Sequence, residues 1–207
     1  MKEIKFKEEQ REEWLYARRG KITGSKLKDI VVKRGTGRKI GFYELVAEKL
    51  GIPPDEDERG FERGLRLESE AIERFDKENK KKTDRSLVIW TREDDENIAV
   101  SPDGSVSKTE AVEVKCLSSA RHIQAYIERT VPADYELQVT QYFIVNDKLK
   151  TLHMVFYDPR FAVIKKGLDY FEIKIKRADL EKQIEETLAY ERQVMSEVNE
   201  IVNKLTF

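Results

Sequence analysis

Asp103, Glu113 and Lys115 stand at intervals that could support metal-assisted hydrolysis of a phosphodiester. The aspartate lies in Ser101-Pro102-Asp103-Gly104, which reads as a turn. Ala111-Val112-Glu113-Val114-Lys115-Cys116 alternates as a half-buried strand would. Such a strand puts Glu113 and Lys115 on one face and Val112, Val114 and Cys116 on the other. A divalent cation between the two carboxylates would polarise a phosphoryl oxygen and acidify a bound water, while the Lys115 ammonium holds that water or steadies developing negative charge. Hard oxygen donors of this kind favour magnesium, with manganese as a substitute. An aspartate followed by Glu-x-Lys also occurs as a plain turn residue and a solvated strand face, so the surrounding elements have to discriminate.

Those elements can be read from periodicity and punctuation. Glu8 to Arg19 carries helix formers and is stopped by Gly20, and a short helix follows through Leu27, Ile30 and Val31. Phe42 to Leu50 is helical and ends at Gly51-Ile52-Pro53-Pro54, with an acidic turn at Asp55 to Glu58. A longer helix over Phe61 to Asn79 places Leu65, Glu68, Ala71, Ile72 and Phe75 near one face, so that a carboxylate sits within an apolar stripe and needs a partner. Ser86 to Thr91, Asn97 to Ser101 and Glu110 to Cys116 read as strands of a meander or hairpin-rich sheet. Helices follow over Ser119 to Arg129 and Ala133 to Val145, then strands over Leu149 to Tyr157 and Tyr170 to Ile175. A long amphipathic helix over Ala178 to Leu205 packs on the core or on a partner subunit. The expected fold is α/β, a central mixed β-sheet flanked by helices.

Composition narrows the classes. A chain of 207 residues without a Pro/Ser-rich linker reads as one domain, 1–207: a helical part over about 1–80, a sheet core over about 81–176 and a C-terminal helix over about 178–205. It is 38% charged with a formal net charge of -1, so binding to nucleic acid has to come from a local concentration of positive charge. The lone Cys116 excludes a disulfide within the chain and a cysteine-ligated zinc or iron–sulfur site. Without an apolar leader or an apolar run long enough to cross a bilayer, the expectation is a soluble, cytoplasmic protein that does not engage membranes. The basic, glycine-rich Lys33-Arg34-Gly35-Thr36-Gly37-Arg38-Lys39 lacks the Gly-Lys-Ser/Thr ending of a P-loop; it reads as a phosphate-contacting loop through Arg34 and Arg38. His122 and His153 are too isolated to argue as ligands, and Trp14 and Trp90 read as core.

Three blocks carry a resemblance. Trp14-Leu15-Tyr16-Ala17-Arg18-Arg19-Gly20-Lys21-Ile22-Thr23-Gly24-Ser25 is the first, Gly64-Leu65-Arg66-Leu67-Glu68-Ser69-Glu70-Ala71 the second, and the Asp103/Glu113/Lys115 core with Tyr135-Glu136-Leu137-Gln138 the third. Tyr157-Asp158-Pro159-Arg160 adds a fourth point. Together they resemble the lambda exonuclease family, the YqaJ-type viral recombinases, within the PD-(D/E)XK nuclease superfamily. The resemblance implies a restriction-endonuclease-like core and a site in which Asp103, Glu113 and the Val114 carbonyl hold metal, Glu68 faces it, and Lys115 and Gln138 complete the catalytic set. Glu70 points off the Glu68 face. Arg18 and Ser25, with Arg19 as a substitute for Arg18, supply the guanidinium, hydroxyl and backbone donors that a 5′-phosphate requires. Gln138 and Gln141, three apart on one helix, could both reach the scissile region, with Thr140 standing where the family usually has a polar or amide residue.

What the resemblance implies for function is a magnesium-dependent 5′-to-3′ exonuclease on linear double-stranded DNA. It leaves 3′ single strands for recombination by strand annealing, assembles as a homotrimeric ring and works beside a single-strand annealing protein. The alternatives are a restriction-type endonuclease or junction resolvase on the same core, which would cut circular DNA, and a non-catalytic DNA-binding recombination module.

Overall fold

The computed structural model describes residues 1–31, 40–50, 61–117, 119–164 and 167–206. In chain order the elements are β1 (Lys2–Phe6), α1 (Arg11–Ala17), β2 (Ile22–Thr23), α2 (Gly24–Ile30), α3 (Ile40–Lys49), α4 (Phe61–Asn79), β3 (Leu87–Thr91), β4 (Ile98–Val100), β5 (Gly104–Ser107), β6 (Glu110–Lys115), α5 (Ser119–Glu128), α6 (Glu136–Val145), β7 (Thr151–Tyr157), β8 (Tyr170–Lys176) and α7 (Glu181–Thr206). The expected mixed α/β architecture with a long C-terminal helix is present. The strands, however, do not share one central sheet. They form two four-stranded mixed sheets, ordered β1-β3-β4-β2 and β5-β6-β7-β8.

The split falls at the Ser101-Pro102-Asp103 turn. β4 runs into it from the first sheet, and β5 leaves it to pair antiparallel with β6 in the second. β1, β2 and β5 are the strands that periodicity did not announce. β1 is charged and mostly exposed, so it carries no buried stripe, and β2 has only two residues. Backbone hydrogen bonds exchanged between Asp84 and Ser105 tie the sheets together just ahead of β3.

In the second sheet β6 and β7 are parallel, with Glu113 opposite Met154 and Lys115 opposite Phe156. A parallel pair needs a crossover, and α5 and α6 supply it. The alternation expected of β6 is realised: Val112, Val114 and Cys116 pack with Ala71, Ile72 and Phe75 of α4, so Glu113 projects from the opposite face. That opposite face is covered by α6. Every residue of α6 from Val139 to Val145 is buried, because the helix touches both sheets at once: its Tyr142, Phe143 and Ile144 join one cluster with Trp90, Val100, Leu152 and Phe156. A helix buried all round has to place its polar residues against specific partners.

α7 lies across α3 and α6, burying Ile184, Val194, Met195 and Val198. The C-terminal helix thus packs on the core. The acidic turn at 55–58, the proline pair at 53–54, the loop carrying Arg34 and Arg38, and the side chain of Leu65 lie outside the described residues.

Candidate active site

Asp103 is positioned by the glycine after it. A Cβ at Gly104 would stand 2.3 Å from Thr83 Cγ2, so only glycine lets the chain turn this tightly against the end of α4. Thr83 is fixed in turn: its hydroxyl donates to Asp76 at 2.6 Å and its N–H to the same carboxylate at 3.1 Å. β5 pairs with β6 only as far as Gly104 opposite Val112. Beyond that point the Asp103 carboxylate takes over the missing strand's role and accepts the Val114 N–H at 2.7 Å. Because a strand residue's N–H and C=O project to the same edge, the Val114 carbonyl lies on the edge that Asp103 occupies.

Glu113 is buried and receives three donors. Lys115 Nζ reaches Oε1 at 2.6 Å and Gln138 Nε2 reaches the same oxygen at 2.5 Å, while the Tyr142 hydroxyl donates to Oε2. Gln138 and Tyr142 are four apart on α6, one turn, so one helical face delivers both. Tyr142 is a site residue that sequence reasoning missed, and the only signal for it was this four-residue spacing from Gln138. Lys115 also stands 4.7 Å over the Tyr135 ring.

The carboxylates perturb one another. Burial, then the Glu113 charge, pushes the Glu68 carboxyl up to about 7, with Arg11 and Lys115 opposing. Burial together with Glu113 and Glu68 lifts Asp103 well above the usual carboxylate range, although Lys115 and the Val114 N–H pull it down. Burial also works to lower Lys115, but Glu113 and Asp103 more than offset it, and the ammonium is held more firmly than usual. Tyr142 is raised well above an ordinary phenol by burial and by Glu113, so it stays a donor. The three carboxylates are thus crowded together where burial already disfavours their charged forms.

A cavity of about 180 Å³ collects Arg18, Ser25, Glu68, Asp103, Glu113 and Gln138 on its walls. Arg18 stacks 4.4 Å over Trp14, which itself donates to the Val88 carbonyl at 3.1 Å and is core as expected. Burial lowers the Arg18 guanidinium's pKa, with Glu113 and Asp103 opposing. Ser101 Oγ, at the same wall, is buried and has no hydrogen-bond partner.

Two expectations fail here. Arg19 is exposed, 5.4 Å over the Tyr16 ring, and is absent from the cavity wall, so Arg18 alone of the pair faces it. Gln141 does not reach the scissile region: it is fully buried, and its amide donates to the Ile22 carbonyl at 3.2 Å and the Ala99 carbonyl at 3.3 Å. Its position, 300° from Gln138 around α6, turns it toward the first sheet. Glu70 is exposed and accepts the Tyr157 hydroxyl at 3.1 Å. Both histidines are buried structural groups, His122 against the Leu168 carbonyl and His153 between Glu172 and Glu110.

Among the described residues, no three His, Cys, Asp or Glu side chains form a ready metal cluster. The donor chemistry nevertheless fits a hard divalent cation. Among the described residues Asp103 and Glu113 each retain a lone pair that no donor occupies, the Val114 carbonyl shares the Asp103 edge, and the repulsion that adds to burial in raising Asp103 and Glu68 is what a cation relieves.

The model of the YqaJ-like viral recombinase domain matches residues 13–149.

The chain belongs to the YqaJ-like viral recombinase family.

The matched span holds all the cavity residues named above. Among solved structures, the alkaline exonuclease LHK-Exo of Laribacter hongkongensis superposes with a TM-score of 0.78 at 25% identity, over 94% of this chain and 97% of that one. The same enzyme in complex with dAMP matches at 26% identity with the same coverage and a TM-score of 0.78. A phage-related exonuclease from Haemophilus somnus matches in fold, with a TM-score of 0.64 at 16% identity over 90% of this chain and 96% of that one. No curated protein matched the sequence. Among the described residues, no helix is long and apolar enough to cross a membrane.

Proposed function

We propose that this chain is a magnesium-dependent exonuclease that degrades linear double-stranded DNA from 5′ ends and leaves 3′ single strands for recombination by annealing. The observation that carries the proposal is the Asp103 carboxylate docked on Val114 beside a Glu113–Lys115 pair, in one cavity with Arg18 and Ser25. Family membership and the likeness to an alkaline exonuclease support the nuclease class. Polarity and the preference for duplex ends rest on the family resemblance, as do the homotrimeric ring and the annealing partner.

Asp103, Glu113 and the Val114 carbonyl would hold magnesium or manganese, with Glu68 bearing on the same cavity. When bound, the cation supplies charge to the phosphoryl oxygen and acidity to a water. The chain's own groups do the rest. Lys115, held against Glu113 and kept protonated by the two carboxylates, places a positive charge where the attacking water and the pentavalent phosphate carry negative charge. Gln138 and Tyr142 hold Glu113 so that it does not swing onto Lys115 alone. Arg18, stacked on Trp14, meets a terminal phosphate with a fixed guanidinium plane, and the hydroxyls of Ser25 and Ser101 line the same wall. A terminal phosphate bound there fixes the scissile bond relative to Asp103 and Glu113, and this makes an end, not an internal bond, the substrate.

Digestion of linear and supercoiled circular DNA in magnesium tests the reading. Degradation of the linear form alone is expected. Cleavage of the supercoiled circle would point to the endonuclease alternative, and no cleavage of either to a non-catalytic module.

A further inference from the structure

Glu191 of α7 is fully buried, and neither of its carboxyl oxygens has a hydrogen-bond partner. Gln141 of α6 lies close enough to interact with it directly. The amide of Gln141 is oriented without ambiguity, because its nitrogen donates to the Ile22 and Ala99 carbonyls. Both its N–H groups are therefore used, and its own oxygen is buried without a donor. Glu191 and Gln141 thus bring three buried acceptor oxygens and no spare donor to their contact, and a proton on Glu191 balances them.

We propose that Glu191 is a positioning residue carried as the neutral acid. Its hydroxyl donates to Gln141 Oε1 and locks the amide that clamps both backbone segments entering the active site. Ile22 leads within three residues to Ser25, and Ala99 leads within four to Asp103. One turn earlier on the same helix, Gln138 holds Glu113. Gly24 shows how closely these parts fit: a Cβ there would lie 3.1 Å from Gln138 Cγ and 3.5 Å from Gln141 Cβ. Glu191 thus transmits the placement of α7 to both strand segments without touching DNA.

The charges around it favour the neutral form. Burial dominates in raising its pKa well above the carboxylate range; the contact with Gln141 works against this, the nearby Asp95 adds to it, and Arg92 opposes it. On α3, the Glu48 carboxylate is taken by Lys26 and the Gly20 N–H, and Lys49 donates to Asn97. On α7 itself, Arg192 is paired with Asp94.

The effect on cleavage rests on the nuclease reading above, whereas the proton does not. Infrared difference spectra of wild type against Glu191→Gln at pH 8 are expected to lose a carboxylic-acid C=O band; loss of a carboxylate band instead overturns the proposal. In denaturant titrations, the folding equilibrium of wild type relative to Glu191→Gln is expected to weaken by up to about tenfold per pH unit between pH 6 and 8, one proton's linkage. Parallel pH dependences overturn it. In cleavage assays Glu191→Gln, whose amide can still donate, should keep kcat within about twofold, and folded Glu191→Leu should lose about tenfold in kcat with KM little changed. A folded Glu191→Leu with wild-type kcat overturns the positioning role. A wild type that cleaves nothing sinks the nuclease reading and leaves the infrared and denaturation results to decide this one.

Discussion

At Glu113, Lys115, Gln138 and Tyr142 converge on one buried carboxylate, and each is expected to contribute differently. Lys115→Ala removes the ammonium held against Glu113 and should lower kcat by about 10²–10³-fold while DNA-end binding stays near wild type. Tyr142→Phe leaves a buried oxygen of Glu113 without its donor, so a loss of about 1–3 kcal/mol in stability is expected by denaturant titration, along with slower cleavage. Glu68 gives a pH signature. Its folded pKa of about 7 lies above the unfolded value, so the unfolded chain releases the proton first, and metal-free stability declines as pH rises from about 4.5 to 7. The slope is at most about 1.4 kcal/mol per pH unit. Glu68→Gln should remove Glu68's share of that decline, leaving the shares of Asp103 and Glu191, and magnesium should reduce it in wild type by adding positive charge; an unchanged slope in the variant would show that Glu68 is ionised throughout.

At the scale of elements, the turn into β5 and the helix α6 set the geometry. Gly104→Ala drives a methyl to 2.3 Å from Thr83 Cγ2 and should cost about 1–3 kcal/mol. Adding Thr83→Ser, which removes that methyl but keeps the hydroxyl bonded to Asp76, should recover part of the loss in a thermal melt. Much of this scale was legible in the chain. The β6 alternation and the amphipathic α4 came from periodicity, because each buries one face against the other. The two-sheet division was not legible, since β1 and β2 bury too little to leave a pattern and the break at Ser101-Pro102-Asp103 looks like any other turn. Nor was the difference between Gln138 and Gln141. Both are amides on one helix, and only the presence of a sheet on each side of α6 sends one to Glu113 and the other to the β2 and β4 carbonyls. Tyr142, a large aromatic in a helix buried along most of its length, carries no sequence mark of its role as the third donor to Glu113.

For the whole molecule, a net charge of -1 means that attraction to DNA cannot be general. It has to be local, and among the described residues Arg18 lies half-buried beside the carboxylates. The cavity draws on α1, α2, α4, the β4–β5 turn, β6 and α6, so the site exists only when both sheets are assembled. The most direct measurement of the central claim is the time course of end-labelled linear duplex DNA in magnesium, with and without 5′-phosphate, by wild type and Lys115→Ala. The account predicts stepwise loss from 5′ ends by wild type, marked slowing when the 5′-phosphate is absent, and no loss with Lys115→Ala. Equal rates on both ends and both substrates, or cleavage by Lys115→Ala at the wild-type rate, would contradict it.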